Sequence, residues 1–255
     1  MRKDVLAEIG LLPAWRRRPL HAAAAVKKSV SAESIPPASP PAITVDDALA
    51  TAPPPAQQQS VITVDDAAIA TMDWDNLAKT VSACEKCPLA KERKKAVFGV
   101  GDKSADIFFI GEGPGFEEDR QGEPFVGPAG KLLDEMLKSI GLGRTSGVYI
   151  SNIVKCRPPD NRNPKPAEAG ACGVYLRRQL QLVKPRLIVA LGGVAAANLL
   201  RSEEPVGKLR QRLHDYDGVP LVVTYHPAYL LRAPKEKRKS WDDLRMIRKL
   251  STNNP

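Results

Sequence analysis

The sequence lacks any apolar run close to the roughly 20 residues that a membrane-spanning helix needs. The N-terminus also lacks the apolar core of a secretory signal, and it carries Asp4 and Glu8. We therefore expect a soluble, cytoplasmic protein with no membrane partner. Cysteine is scarce, and without an export signal a disulfide framework is disfavoured while a bound metal is favoured. The four cysteines are Cys84, Cys87, Cys156 and Cys172.

Acidic residues are too few to balance the basic ones, and the imbalance is confined to one part of the chain. Residues 1–80 contain 8 Lys or Arg and 9 Asp or Glu, so they are nearly neutral. Residues 81–255 contain 30 basic and 20 acidic residues, which places the whole positive excess there. Such a basic region favours a phosphate-bearing partner. The alternative is that the charge serves solubility alone.

The first 72 residues have little that could form a packed core. Residues 20–72 are rich in Ala, Pro, Ser and Gln, so we interpret them as a flexible linker. The segment ITVDDA occurs at 43–48 and again at 62–67, which indicates a duplicated piece of linker or a pair of short docking peptides. Residues 1–19 place apolar side chains at roughly helical spacing, at Val5, Leu6, Ile9, Leu12 and Trp15.

This N-terminal arm resembles the N-terminal peptide of the psi subunit of the bacterial replicative clamp loader. The matching residues are Arg2, Leu6, Gly10, Trp15 and Arg18. The resemblance implies that residues 1–19 dock onto a replication or repair protein. We expect a disordered N-terminal arm and linker in front of a folded domain that spans residues 73–255.

From Trp74 onward the sequence alternates between short apolar runs and helical patterns. This alternation predicts an α/β domain with three layers, α/β/α, around a central four-stranded parallel sheet. The predicted strands are 106–110, 148–152, 187–191 and 221–225. The predicted helices are 74–83, 127–140, 166–183, 194–201 and 240–250.

Parallel strands bring the loops at their carboxyl ends to one edge of the sheet, where α/β proteins bind ligands. The first of these loops, GEGPGFEED at 111–119, is not a dinucleotide motif, because Pro114 interrupts it and no helix follows directly. Its acids would repel a pyrophosphate. We expect them to face a centre that develops positive charge; a solvated acidic turn is the alternative. The other loops begin at Asn152, Gly192 and His226.

The cysteine spacing indicates a metal site without identifying the metal. Cys84 and Cys87 are two residues apart, whereas 15 residues separate Cys156 from Cys172. Four thiolates suit a tetrahedral zinc ion or an iron–sulfur cluster equally well, and free thiols in the core are a third interpretation. Four protein ligands leave no open coordination position, so we expect a structural role.

The last loop, HPAYLLR at 226–232, contains chemistry-bearing and apolar residues side by side. His226 follows the apolar run LVVTY directly, which places its imidazole at the sheet edge. Leu230 and Leu231 are adjacent apolar residues in a basic loop, and Arg232 follows them. An exposed apolar pair of this kind is suited to wedging between stacked bases. The alternative is that one of the two leucines belongs to the core.

Residues 78–250 closely resemble the iron–sulfur class, family 4, of uracil-DNA glycosylases. The matching motifs occur in the same order along the chain. They are CEKC at 84–87, GEGPGFEED at 111–119, PFVGPAGKLL at 124–133, SNIVKCRPPDNRNP at 151–164, Cys172 and YHPAYLLR at 225–232. The resemblance implies an enzyme that flips uracil out of DNA and hydrolyses its N-glycosidic bond, the first step of base-excision repair.

The resemblance also implies roles for individual residues. Phe125 would stack on the flipped base, and Asn152 would hydrogen-bond the uracil edge and discriminate it from cytosine. Gly111 and Glu112 would shape the pocket, and Glu118 would lie within reach of the sugar. The role of His226 would be to support the negative charge that develops on a uracil carbonyl.

Further residues follow from the same resemblance. Leu230, Leu231 and Arg232 would contact the DNA, by intercalation or through phosphate. Cys84, Cys87, Cys156 and Cys172 would hold a [4Fe–4S] cluster. The third position of the first motif is Gly113, which has no side chain to activate water, so the resemblance does not identify that group. The segment RPPDNRNPKP contains no histidine, so covalent capture of DNA is not expected.

Two other functions are compatible with the charge and the cysteines. One is a non-catalytic iron–sulfur protein that binds nucleic acid or senses redox state, and the other is a zinc-containing nucleotide-binding domain. Neither explains why Phe125, Asn152 and His226 should meet around one pocket. We therefore predict a monomeric enzyme that acts on uracil-containing DNA at the bacterial nucleoid.

Overall fold

The computed structural model describes residues 64–252 of the chain, with side chains from residue 66 onward. The predicted arm at 1–19 and the first ITVDDA copy lie outside the described residues. The predicted end of the linker at residue 72 is wrong. A helix, α1, spans Val64–Thr71, and its Ile69 side chain is buried in the core. The local composition resembles that of the linker, and one inward-facing isoleucine is too weak a signal to predict a helix.

A six-stranded sheet forms the centre of the domain. The strands are β1 Val100–Gly101, β2 Ile107–Gly111, β3 Val148–Asn152, β4 Leu187–Leu191, β5 Leu213–Tyr216 and β6 Val219–Thr224. Their order is β1-β3-β2-β4-β6-β5. The four central strands are parallel, as predicted, and the two edge strands are antiparallel to their neighbours. The edge strands were not predicted because β1 has two residues and β5 is half exposed.

Helices cover both faces of this sheet, which confirms the three-layer prediction. They are α1, α2 Trp74–Ser82, α3 Phe116–Gln121, α4 Pro128–Lys138, α5 Pro166–Val183, α6 Gly193–Leu200, α7 Val206–Leu209, α8 Pro227–Arg232 and α9 Lys237–Thr252. Side chains alternate across β2, so Phe108 and Ile110 enter one core while Ile107 and Phe109 enter the other. Among residues 64–252, no helix combines the length and apolarity that crossing a bilayer requires.

The carboxyl ends of the parallel strands meet at one edge, as the alternation predicts. Gly111 and Asn152 are partners in the register of β2 and β3. Gly192 donates its N–H to the Thr224 carbonyl oxygen at 2.8 Å, which ties the loop after β4 to the end of β6. Gly192 has φ +91°, and a Cβ there would lie 2.8 Å from the Cβ of His226. Glycine therefore allows the close approach that seats His226 at this edge.

Candidate active site

A cavity of about 410 Å³ opens at this edge of the sheet. Its walls come from the loops after β2, β3 and β6 and from the segment before α4. Phe125, Asn152 and His226, three residues predicted from separate loops, all line this cavity. Glu112, Glu118 and Arg232 also line it. Six of the nine residues predicted for catalysis, base binding and DNA contact therefore line one cavity.

Asn152 presents an unpaired hydrogen-bond acceptor at the cavity. Its side chain is 2 % exposed, and its Oδ1 atom has no hydrogen-bond partner within residues 64–252. A Cβ atom at Gly111 would lie 2.4 Å from this oxygen and 2.6 Å from the Phe125 ring, so glycine keeps this end of the cavity open. Burying an acceptor without a partner is costly. The site is therefore complementary to a ligand that supplies an N–H donor.

Phe125 is held in an unusual backbone conformation. Its φ is +53°, in the left-handed region that a phenylalanine rarely adopts. The ring is buried, and its centroid lies 5.6 Å from that of His226 at an interplanar angle of 33°. The carbonyl oxygen of Phe125 presses on the first turn of α4, where a Cβ at Gly130 would lie 1.7 Å from it. Strain of this kind persists only where the surrounding structure holds it.

Two side chains hold the Phe125 segment from opposite sides. Glu118 Oε1 accepts hydrogen bonds from the N–H groups of Val126 and Gly127, both at 3.0 Å. Arg144 donates to the Pro124 carbonyl at 2.7 Å and to the Phe125 carbonyl, and its Nε donates to Asp134 at 3.0 Å. One oxygen of Glu118 is therefore engaged by the backbone. Arg144 was not predicted, because nothing in its turn sequence marks it as a partner of Phe125.

Glu112 is a half-buried carboxylate at the cavity wall. It makes no hydrogen bond or ion pair through its side chain with another residue of the described part of the chain. Burial raises the pKa of this carboxyl above its usual range. Glu112 is therefore free to face a ligand, unlike Glu118.

His226 is a neutral hydrogen-bond donor in this environment. Its Nδ1 accepts a hydrogen bond from the Ala228 N–H at 3.1 Å, so the proton of the neutral ring resides on Nε2. Burial and the nearby Arg232 guanidinium lower the pKa of His226 to about 4, and Glu118 opposes them weakly. The ring therefore offers an Nε2–H group at neutral pH without carrying a full charge.

The predicted wedge of two leucines is wrong for Leu230. Its side chain is 1 % exposed and packs in the core beside α4 and α9. Residues 227–232 form helix α8, in which consecutive side chains point about 100° apart, so the pair cannot share one exposed face. Leu231 is 43 % exposed, and its contact with DNA stays a prediction.

Tyr229, which the sequence did not single out, lines the cavity and stacks on Tyr225 with ring centroids 5.2 Å apart.

All four cysteines line a second, much smaller cavity of about 10 Å³. Within residues 64–252, no group of three or more His, Cys, Asp or Glu side chains is placed to hold one metal ion. Three of the sulfur atoms accept hydrogen bonds, the first of them Cys84 from the Lys86 N–H at 3.5 Å. Arg93 donates to Cys156 at 3.1 Å, and the Lys155 N–H donates to Cys172 at 3.3 Å. Burial raises the pKa of the Cys172 thiol to about 11.

This donor set consists of four thiols around one space, which is the ligand chemistry of an iron–sulfur cluster. Four thiols converge on one space, yet not at single-ion distances, and a cluster spans more room than an ion. Hydrogen bonds from N–H groups to the sulfurs are a usual feature of cluster surroundings. Cys84, Cys87, Cys156 and Cys172 therefore lie around one space, although they are far apart in the sequence.

Comparison with known proteins agrees with the motifs. Residues 98–245 match the model of the uracil DNA glycosylase superfamily. A type-4 uracil-DNA glycosylase of Archaeoglobus fulgidus is 43% identical over 184 residues, covering 69% of this chain and 92% of that protein. A type-4 enzyme of Thermotoga maritima is 44% identical over 158 residues, 61% of this chain and 82% of that protein. A type-5 uracil-DNA glycosylase of Thermus thermophilus is 34% identical over 160 residues, covering 51% of this chain and 73% of that protein.

Proposed function

This chain belongs to the uracil-DNA glycosylase superfamily, and on that premise we propose that its sheet-edge cavity binds a uracil extruded from DNA and hydrolyses the bond to deoxyribose. The product is an abasic site. The observation that carries this proposal is the convergence of an aromatic ring, an amide and an imidazole, from Phe125, Asn152 and His226, on one cavity. Extrusion of the base costs a few kcal/mol, which stacking in the cavity offsets.

Asn152 reads the base through its unpaired acceptor. Uracil carries an N–H group on its ring, and the buried Oδ1 of Asn152 can accept a hydrogen bond from it. Cytosine has no hydrogen on the equivalent nitrogen, so it would leave that oxygen unpaired or face it with a lone pair. An unpaired buried polar group costs about 1–3 kcal/mol, and this cost supplies the discrimination.

His226 stabilises the leaving base. When the bond between C1′ and the base nitrogen breaks, its electron pair goes to uracil and spreads onto the carbonyl oxygens. The Nε2–H of neutral His226 donates a hydrogen bond to one of those oxygens, and a donor of this kind contributes about 3 kcal/mol in other enzymes. Water forms the new bond to C1′ through its oxygen and releases a proton, which neutralises the departed uracil anion. We assign the stabilisation of the cationic sugar and the orientation of that water to Glu112, a carboxylate that lines the cavity without an ion pair to residues 64–252.

We further propose that Cys84, Cys87, Cys156 and Cys172 hold a [4Fe–4S] cluster. When bound, such a cluster supplies a structural cross-link through four sulfur atoms. The cysteines lie before β1, after β3 and on α5, so the link would fasten the start of the domain to the strand that bears Asn152. No step of the hydrolysis passes through this group.

The test is an excision assay with the full-length protein. A uracil-containing oligonucleotide is incubated with the protein and then treated with alkali, which breaks the strand at abasic sites. We expect breakage at uracil, and its loss by at least about 100-fold in His226→Ala, as for removal of one transition-state donor. Intact strands with the wild-type protein would leave the non-catalytic iron–sulfur protein as the better description.

Three companion measurements test the remaining proposals. Visible absorbance that bleaches on reduction, together with iron content and its loss in Cys172→Ser, supports the cluster, whereas stoichiometric zinc contradicts it. Size-exclusion chromatography tests the proposed monomer. The proposed location at the bacterial nucleoid, and docking of residues 1–19 on a replication or repair protein, are tested by imaging cells that carry the chain with and without those residues.

A further inference from the structure

Phe116 is an exposed aromatic ring beside the cavity. It is the first residue of α3 and follows Pro114 and Gly115, which line the cavity wall. Its side chain is 51 % exposed. The sequence marks Phe116 only as one letter of the first motif, and the recognition of uracil described above does not use it.

Two cations flank this ring. The Lys94 ammonium lies 5.7 Å from the ring centroid, and the Arg157 guanidinium carbon lies 5.2 Å from it. Arg157 is oriented by a hydrogen bond from its Nε to Asn161 Oδ1 at 2.7 Å. Since Asn161 lines the cavity, the group formed by Phe116, Lys94 and Arg157 lies on the cavity rim. We name this group the rim platform.

The acids near the rim platform are already engaged. Glu117 pairs with Arg120 at 2.7 Å, which also lowers the pKa of the Glu117 carboxyl. Asp119 is buried and accepts the Lys94 backbone N–H at 2.9 Å. Neither Lys94 nor Arg157 forms an ion pair with an acid of residues 64–252. Half of the ring remains open to solvent with both cations in place, so a flat ligand can reach it.

We propose that the rim platform binds the nucleobase next to the extruded uracil, with Phe116 stacking on the base and Lys94 and Arg157 facing its phosphate. This inference rests on the proposed function. Extrusion removes one base from the stack and exposes the face of its neighbour, which an aromatic side chain can cover. An aromatic ring between cations is the arrangement that proteins use to bind unstacked bases and their phosphates without reading sequence.

A double-mutant cycle between protein and DNA tests the contact. Single-stranded oligonucleotides carry 2′-fluoro-2′-deoxyuridine, which resists hydrolysis, and the nucleotide on its 5′ or 3′ side is either normal or a base-free tetrahydrofuran. We expect Phe116→Ala to raise Kd about ten-fold with the normal oligonucleotide, as stacked bases generally give. Removing the stacked neighbour should weaken wild-type binding similarly, and should leave Phe116→Ala unaffected.

Controls separate this contact from a general effect. Phe116→Trp should retain tight binding, because it keeps a ring. Trp241→Ala removes another exposed aromatic, 44 % exposed and outside the cavity lining, and should change nothing. Two results would overturn the proposal. One is that Phe116→Ala raises Kd by the same factor with the normal oligonucleotide and with each oligonucleotide that lacks a neighbouring base. The other is that Phe116→Ala does not raise Kd at all. Uracil excision by the wild-type protein is scored separately, so failure of the proposed function is recognised on its own.

Discussion

Glu118 shows at the scale of one residue how a structure changes the meaning of a motif. The resemblance suggests that Glu118 is a carboxylate that acts on the sugar. In the structure, one of its oxygens instead accepts hydrogen bonds from the N–H groups of Val126 and Gly127. These bonds hold the strained Phe125 backbone in place. We therefore predict that Glu118 acts on catalysis through Phe125, and that Glu112 is the carboxylate left free in the cavity.

Replacing Glu118 distinguishes the two roles. Glu118→Gln keeps an acceptor oxygen for both N–H groups, so we expect single-turnover excision within about five-fold of wild type. Glu118→Ala leaves two donors unpaired, at about 1–3 kcal/mol each, and should reduce excision on the order of 100-fold. If Gln proves as damaging as Ala, the charge of Glu118 takes part in the chemistry and the positioning role is wrong.

The pH profile reports on Glu112 rather than on His226. His226 has a pKa of about 4 and stays neutral throughout pH 5–8. Burial raises the pKa of Glu112, so its ionised form is lost as pH falls through a value above that of an ordinary glutamate. We expect the rate of excision to fall as the pH is lowered. The same fall should remain in His226→Asn and should be absent in Glu112→Gln. A titration near pH 6.5 that disappears in His226→Asn would contradict the neutral imidazole.

Residues at strand ends were predictable from the sequence, and residues within the connecting loops were not. Asn152 is the last residue of the buried strand β3, and His226 lies two residues after β6, so their position at the sheet edge is a consequence of the strand pattern. Leu230 and Glu118 lie in loops that contain the six-residue helices α8 and α3. Helices this short leave no periodic apolar pattern in the sequence. Because the helical turn decides which side chain faces the core, the orientation of Leu230 and Glu118 could not be predicted.

At the scale of elements, β3 and α5 are joined by one buried amine. Lys155 follows β3, is 1 % exposed and donates from Nζ to the Asn152 carbonyl at 2.9 Å and to Gln179 Oε1 at 2.7 Å. Its backbone N–H donates to Cys172 on α5. The residue proposed to read uracil and a proposed cluster ligand therefore both accept hydrogen bonds from the same lysine. Without its partners, a charge buried so deeply would be strongly destabilising.

Removing this amine should loosen both elements. Lys155→Met keeps the aliphatic volume but removes the Nζ donor from the Asn152 carbonyl and from Gln179 Oε1, which then keeps only the Ser151 hydroxyl. We expect a loss of about 2–4 kcal/mol in the free energy of unfolding and weaker binding of the uracil oligonucleotide. Lys138→Met, on the exposed face of α4, is the matched control and should change the free energy by less than about 0.5 kcal/mol. Unaltered urea unfolding of Lys155→Met would refute this.

At the scale of the whole molecule, the folded domain includes helix α1. Ile69 of α1 is 3 % exposed, and Arg178 on α5 donates to the Met72 carbonyl at 2.6 Å. These contacts make α1 part of the domain, although its alanine-rich sequence matches the linker before it. The strands were predictable because long apolar runs dominate them; α1 depends on one side chain and a distant arginine.

Truncating Ile69 tests whether α1 stabilises the domain. Ile69→Ala should cost about 2–5 kcal/mol in the free energy of unfolding, since a buried isoleucine loses its packing. Ala70→Ser, on the exposed side of the same helix, is the control and should behave like wild type. Urea unfolding of the full chain measures both. An effect below about 0.5 kcal/mol for Ile69→Ala would place the start of the cooperative unit after α1.

The charge of the whole molecule predicts how DNA binding responds to salt. Residues 81–255 carry ten more basic than acidic residues, and each phosphate that they neutralise contributes about −0.7 to the slope of log K against log salt for single strands. Four such contacts would weaken binding about 50-fold between 50 and 200 mM salt.

Arg232 is the residue on which this prediction can be tested. It lines the cavity and forms no ion pair with an acid of residues 64–252, whereas Arg162 on the same cavity is bound to Glu168 at 2.7 Å. Arg232→Gln should therefore reduce the slope by about one phosphate, measured by fluorescence anisotropy of a labelled oligonucleotide. Arg248→Gln, on α9 outside the cavity lining, should leave the slope unchanged. Equal slopes for all three proteins would mean that Arg232 contacts no phosphate, and that its charge acts instead on His226, whose pKa it lowers.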